Sequence, residues 1–150
     1  MLLVPAATGC STSRNRSPVR DSILGIRIGS DLEEAREKLS RLADSESRDE
    51  ADDEREPGKK EAWMLKGTEF KSIALQTDRS AKVIWVSGFL RQGREIPFAQ
   101  LGDMNAALRA TQTEAIWNVA DVRGGYRLVA KGQNGRARVV YLLSLESAQE

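Results

Sequence analysis

One segment of this chain recurs 56 positions later without a gap. Residues 70–86 align with residues 126–142, and two alanines and one valine are identical between them. A repeat of this kind corresponds to one supersecondary unit used twice, in which each copy buries its apolar face with help from the other. The sequence therefore predicts a duplicated unit that shares one core. The aligned aromatic pairs are Phe70 with Tyr126 and Trp85 with Tyr141.

A helix is predicted near the start of each unit. Ser30 and Glu33 have the spacing of a capping box, and the apolar residues that follow recur on one helical face, which predicts a helix over residues 31–43. Apolar residues at helical spacing predict a second helix over residues 97–108, although Gly102 lowers its helix propensity.

Three predicted strands follow each helix. The third strand of each unit is apolar at successive positions, which predicts a central strand that is covered on both faces or that reserves one face for a partner. The predicted fold class is α+β, a tandem duplication of a helix-plus-three-strand unit with the helices packed on one face of an antiparallel sheet. The strands are predicted over residues 61–66, 70–76 and 82–90, and over residues 115–120, 126–131 and 136–145.

The charge distribution separates an acidic segment from the rest of the domain. Residues 31–56 hold twelve acidic and five basic side chains, whereas residues 57–150 have a net charge of +5. We expect an acidic loop at residues 44–60, solvated because it has almost nothing apolar to bury. Calcium binding is an alternative for its carboxylates, but their spacing does not match an EF-hand loop. The predicted domain is a single α+β body over residues 23–145, with repeats at 23–90 and 96–145.

The composition excludes several chemistries. The chain has no histidine and one cysteine, so it cannot form a Ser-His-Asp triad, a His-ligated zinc site, a thiolate cluster or an intrachain disulfide. It also lacks the glycine-rich motifs that bind phosphates. Carboxylates such as Asp103, Asp121 and Glu114 belong to no paired catalytic motif. We therefore expect no enzymatic activity, no cofactor, no metal and no small-molecule substrate.

The first 22 residues are predicted to be a truncated signal segment with a lipobox, followed by a flexible tether. An apolar start passes through Ala7-Thr8-Gly9 into the lone Cys10, and polar residues follow at once. This order resembles the lipobox of bacterial lipoproteins, which implies lipidation at Cys10 and attachment to the membrane by the acyl chains alone, on the periplasmic side. A secreted protein, or a frayed terminus with an incidental thiol, is the alternative.

The repeat also resembles a known family. A helix that opens with Gly-Ser-x-x-Glu-Glu-Ala at residues 29–35, followed by a tryptophan-bearing strand and an aromatic-rich hairpin, is similar to the repeat of the SmpA/OmlA outer-membrane lipoproteins. That resemblance implies the fold of β-lactamase-inhibitor-protein-like domains. It also implies a cell-envelope location and the binding of other proteins without catalysis.

The expected function is that of a non-enzymatic, lipid-anchored or secreted envelope protein that acts as a protein–protein interaction module, with another envelope protein as its partner. Large aromatic side chains dominate binding hot spots, so they are the candidate contact residues, and a place in the core is the alternative for each. These residues are Trp63, Trp85, Trp117 and Tyr141. A nucleic-acid-binding or other cytoplasmic binding domain is the alternative function, because basic residues surround the last predicted hairpin. They are Arg123, Arg127, Lys131, Arg136 and Arg138.

Overall fold

A computed structural model describes residues 18–44, 48–49, 58–120 and 124–146. Within these residues, nine strands form one antiparallel sheet in the order β1-β2-β3-β4-β9-β8-β7-β6, with β5 paired to β9. Two helices and a 3₁₀ turn complete the secondary structure of this part of the chain. The elements are α1 (Leu32–Ser40), β1 (Arg48–Asp49), β2 (Lys60–Met64), β3 (Phe70–Thr77), β4 (Val83–Leu90), β5 (Ile96–Pro97), α2 (Phe98–Leu101), the 3₁₀ turn (Met104–Ala106), β6 (Arg109–Ala110), β7 (Glu114–Val119), β8 (Tyr126–Gln133) and β9 (Arg136–Ser144).

The predicted α+β class, with helices packed on one face of the sheet, is wrong. Strands account for 48% of the structure and helices for 14%, and α1 is the one helix of seven or more residues in the described chain. The second predicted helix stops after four residues, because Gly102 is extended with φ near 180° and lies against the indole of Trp117. A Cβ atom at position 102 would stand 2.9 Å from Cε2 of that ring. The architecture is therefore mostly antiparallel sheet.

Helix α1 is shorter than predicted and begins without the capping box. Its N-cap is Asp31, whose side chain makes no capping hydrogen bond. Ser30 is engaged elsewhere, because its carbonyl accepts from the Val83 amide at 2.9 Å and its hydroxyl accepts from the Arg27 amide at 3.2 Å. The predicted apolar face is confirmed for its first three positions, which are buried. They are Leu32, Ala35 and Leu39.

The strands of the two predicted units meet in the middle of the sheet. The first unit contributes β2-β3-β4 and the second contributes β9-β8-β7 in the reverse order, so the third strands β4 and β9 pair with each other. Val86 lies opposite Leu142, which is the position related to it by the 56-residue shift. The central placement predicted for the third strands is confirmed, while the duplication itself stays a prediction.

The core lies on one face of the sheet, which we call the inner face. Burial of a large apolar side chain contributes roughly 1.5–3 kcal/mol, so this face carries most of the stability. The chain ahead of residue 23, predicted to be a tether, also packs here: the Arg20 amide donates to the Leu101 carbonyl at 2.7 Å. The Tyr126 hydroxyl donates to the Val19 carbonyl at 3.2 Å. The largest core side chains include Ile23, Ile26, Leu39, Phe70, Ile73, Leu75, Phe98, Leu101, Trp117, Leu128 and Leu142.

One carboxylate is buried beside this core. Glu61 is 1% exposed, and Arg36 of α1 donates from Nε to its Oε1 at 2.8 Å. The hydrogen bond from Arg36 to Glu61 is the main cause that raises the pKa of Arg36 above its usual range. The charged pair therefore ties α1 to β2.

Part of the predicted acidic loop is strand. Arg48–Asp49 forms β1 and pairs antiparallel with β2, which itself begins at Lys60. Residues 45–47 and 50–57 of the predicted loop, and residues 1–17 with the predicted signal segment and lipobox, lie outside the described residues.

Candidate interaction face

The side of the sheet opposite the core is called here the outer face. Side chains alternate between the two faces along a strand, so every second residue of each strand points to this side. Cross-strand pairing arranges these residues in three rows. The first row is Met64, Ser72, Phe89, Val139, Lys131 and Glu114; the middle row is Ala62, Ala74, Ser87, Tyr141, Val129 and Ile116; the third row is Lys60, Gln76, Trp85, Leu143, Arg127 and Asn118.

Aromatic and aliphatic side chains occupy the centre of the outer face. The rings of Trp85 and Tyr141 stack with centroids 6.3 Å apart and an interplanar angle of 28°. Phe89, which follows Ser87 on this face of β4, is 36% exposed, and Met64 is 52% exposed. Both helices and residues 19–28 join the core on the other side of the sheet. Apolar side chains on the outer face therefore lie near one another, without a helix of the described chain packed over them.

The four predicted contact residues divide between the two faces. Trp85 and Tyr141 lie on the outer face, where they are half-buried. Trp63 and Trp117 lie on the inner face with 7% and 1% exposure, so the core alternative holds for these two. Nε1 of Trp117 also donates to the Asp103 carbonyl at 2.9 Å, which fixes the ring beneath the 3₁₀ turn.

Sequence analysis missed the other apolar members of the outer face. Phe89 is the most prominent, because it belongs to the same strand as Trp85 and is more than one third exposed. The signal for it was the alternation along β4, since every second residue after Trp85 reaches Ser87 and then Phe89. The remaining members are Ala62, Met64, Ala74, Ile116, Val129, Val139 and Leu143.

The basic residues predicted to contact phosphates are spread over two places. On the outer face, Arg127 Nε donates to Asn118 Oδ1 at 2.8 Å, and Lys131 Nζ lies 3.7 Å from a Glu114 oxygen. Asn118 and Glu114 therefore engage basic groups that would otherwise be available to bind a phosphate. Arg123 lies outside the described residues.

Arg136 and Arg138 lie beyond this face, near the turn between β8 and β9. Backbone N–H groups of Glu95 and Gly93 lower the pKa of the Glu95 carboxyl, and the two arginines act in the same direction. Arg136 also donates from Nη2 to the Glu95 carbonyl at 2.9 Å. Glu95, in the connection between β4 and β5, thus offsets part of the positive charge of these two arginines.

The carboxylates considered for catalysis have structural partners. Asp103 accepts from the Asn105 amide at 2.9 Å and so caps the 3₁₀ turn, and Glu114 lies 3.2 Å from Arg109 Nε. Asp121 lies outside the described residues. Among the residues that the structure describes, no three acidic or cysteine side chains are grouped to hold a metal ion, and no helix has the length and hydropathy to cross a membrane.

No protein-family model, curated protein or solved structure matches this chain. The functional argument therefore rests on the outer face and on the sequence patterns.

Proposed function

We propose that this protein is a non-enzymatic interaction module of the bacterial cell envelope that binds another envelope protein through its outer face. The observation that carries the proposal is the apolar centre of that face, where Trp85 stacks on Tyr141 and Phe89 is exposed. An apolar, aromatic centre inside a polar rim is the usual anatomy of a protein–protein interface, and tryptophan and tyrosine are frequent hot spots.

The shape of the outer face favours a macromolecular partner. Small ligands bind in concave sites that enclose most of their surface, whereas a sheet face offers a broad, shallow area. The rim carries Lys60, Arg127, Lys131 and Glu114, so charged pairs at the edge would orient a protein partner while the centre supplies most of the binding free energy.

Attachment to the membrane is assigned to acyl chains on Cys10. The lipobox resemblance at residues 7–10 and the SmpA/OmlA resemblance of the repeat support this location. Each buried CH₂ of an acyl chain contributes about 0.8 kcal/mol to anchoring. Seven residues separate Cys10 from Pro18, where the described body begins, and the eight steps from Cys10 to Pro18 span at most about 28 Å at full extension. The outer face would therefore meet partners close to the membrane.

Photo-crosslinking from the outer face tests this function. A photoreactive phenylalanine derivative at position 89 of the full chain, expressed in its own bacterium, should give a discrete adduct with another envelope protein. The matched control is the same derivative at Leu108, which is 65% exposed but lies outside the three rows. Tyr141→Arg should abolish the adduct at position 89 without unfolding the chain.

The outcomes separate the alternatives. Equal adducts from positions 89 and 108 would show that the outer face has no special role. An adduct that is removed by nuclease would favour the nucleic-acid alternative and overturn the proposal.

A further inference from the structure

We infer that, when no partner occupies the outer face, it binds a second copy of this chain, in a two-fold symmetric dimer whose outer faces pack against each other. The inference rests on the proposed function in one respect, because it requires the outer face to be an interaction surface. It differs in naming the occupant, which the register of the sheet identifies.

The side chains in the middle row of the outer face are small at one end of the row and large at the other. Its positions on β2, β3 and β4 hold short side chains, and its positions on β9, β8 and β7 hold long or branched ones. One half of the row is therefore a depression and the other half is a ridge. The short side chains are Ala62, Ala74 and Ser87, and the large ones are Ile116, Val129 and Tyr141.

A two-fold axis parallel to the strands, between β4 and β9, places the ridge of one copy over the depression of the other. Each contact then occurs twice, as an isologous interface requires. Two sheets packed face to face in this way keep their strands aligned to within about 30°, at a separation of about 10 Å. The facing pairs near the axis are Val129 over Ala74, Trp85 over Leu143 and Phe89 over Val139.

The size and charge of the surface suit a dimer. Six strands about 4.8 Å apart and three rows about 6.8 Å apart cover about 600 Å² on each copy. Two copies would bury about 1,200 Å², the lower end of the range for specific interfaces. The formal net charge of the chain is +1, so electrostatic repulsion between two copies is weak.

Exchanging one small and one large residue tests this geometry. Ala74 on β3 and Val129 on β8 are separated by β4 and β9 within one copy, so they do not touch in the monomer. In the dimer they face each other. Ala74→Val should weaken dimerisation roughly tenfold through a clash, and Val129→Ala should weaken it similarly through a cavity. The double variant should recover most of the affinity, because a large residue again faces a small one.

The measurement is sedimentation equilibrium of the full, unlipidated chain, with a reductant that keeps Cys10 a thiol. The wild-type chain should reach twice its mass of 16.6 kDa. Leu108→Arg is the matched control and should leave the dimer intact, whereas Ala74→Arg should give monomers. Ala74 is half-buried, so this variant tests the face even if Val129→Ala folds poorly.

The results distinguish this inference from the proposed function. Three results would overturn the dimer. They are a monomeric wild-type chain, a double variant whose loss of dimer affinity is the sum of the two single losses, or loss of the dimer in Leu108→Arg. The adduct of position 89 with another envelope protein would be unaffected by that failure. A dimer with the expected exchange behaviour, but no such adduct, would overturn the proposed partner and leave the dimer standing.

Discussion

Trp85 and Trp117 belong to the same sheet but point to opposite faces, and this difference sets the effect of removing each ring. Trp117 is 1% exposed, packs against Gly102 and donates a hydrogen bond to the Asp103 carbonyl. Trp117→Ala should lower the free energy of unfolding by about 3–5 kcal/mol, the usual effect of truncating a core tryptophan. Trp85→Ala should lower it by roughly 1–2 kcal/mol, because the ring is half-buried. Urea unfolding followed by circular dichroism measures both.

Trp117→Phe is the control for the packing of the inner ring. It keeps an aromatic side chain but removes the N–H that donates to the Asp103 carbonyl. The resulting decrease in the free energy of unfolding should therefore fall between the decreases for Trp85→Ala and Trp117→Ala. An equal decrease in the free energy of unfolding for Trp85→Ala and Trp117→Ala would contradict the assignment of the two rings to opposite faces.

The sequence could only partly predict to which face of the sheet an individual side chain points. Size and chemistry were enough to single out the tryptophans, and the alternation of Glu61 and Trp63 indicates that both share one face of β2. Which face is the core depends on strand register and on what packs against the sheet, because a slip of one residue reverses every side chain. For the same reason the burial of Glu61 was not expected from its charge.

At the scale of elements, the end of α2 is set by a contact with a residue distant in the sequence, Trp117, and not by local helix propensity. Ala is a better helix former than Gly by about 1 kcal/mol, so propensity alone predicts that Gly102→Ala is stabilising. The structure predicts the opposite, because the new Cβ would stand 2.9 Å from Cε2 and 3.0 Å from Nε1 of Trp117. We expect a loss of about 1–3 kcal/mol in the free energy of unfolding, measured by urea titration.

A double-mutant cycle provides the control for this contact. In the Trp117→Phe background the indole Nε1 is absent, so Gly102→Ala should be less destabilising there than in the wild-type chain. A stabilising effect of Gly102→Ala in the wild-type chain would show that the helix ends at Leu101 for another reason.

Elements defined by local patterns were the ones that the sequence predicted well. The apolar face of α1 follows from helical spacing, and the central positions of β4 and β9 follow from their uninterrupted apolar residues. The length of α2 could not be predicted in this way, since its end involves Gly102 and Trp117, which come together only when β7 joins the sheet.

At the scale of the whole molecule, the two segments aligned by the 56-residue shift differ in the face to which their side chains point. The 56-residue shift aligns Ala74 with Ala130, yet Ala74 belongs to the outer face and Ala130 is fully buried on the inner face. Irregular register near residues 70–72 and 131–132 accompanies this change of face. The aligned segments could therefore not predict the small-to-large asymmetry of the middle row that favours a dimer.

Membrane attachment is a property of the whole chain, and Cys10→Ser tests it. If acyl chains on Cys10 are the anchor, the variant should move from the membrane fraction to the soluble fraction of the bacterium, because it loses every buried CH₂ of those chains. Its melting temperature as a purified chain should not change, since the described core draws on residues from Val19 onward.

Ser11→Ala is the neighbouring control and should stay with the membrane. Intact-mass measurement of the wild-type protein should show an acylated Cys10 at the mature N-terminus. An intact Met1 with a free thiol, or a Cys10→Ser variant that remains in the membrane fraction, would rule out the lipid anchor. Because the dimer is assayed on the unlipidated chain, it would survive that result, and only the location of the interaction would have to be revised.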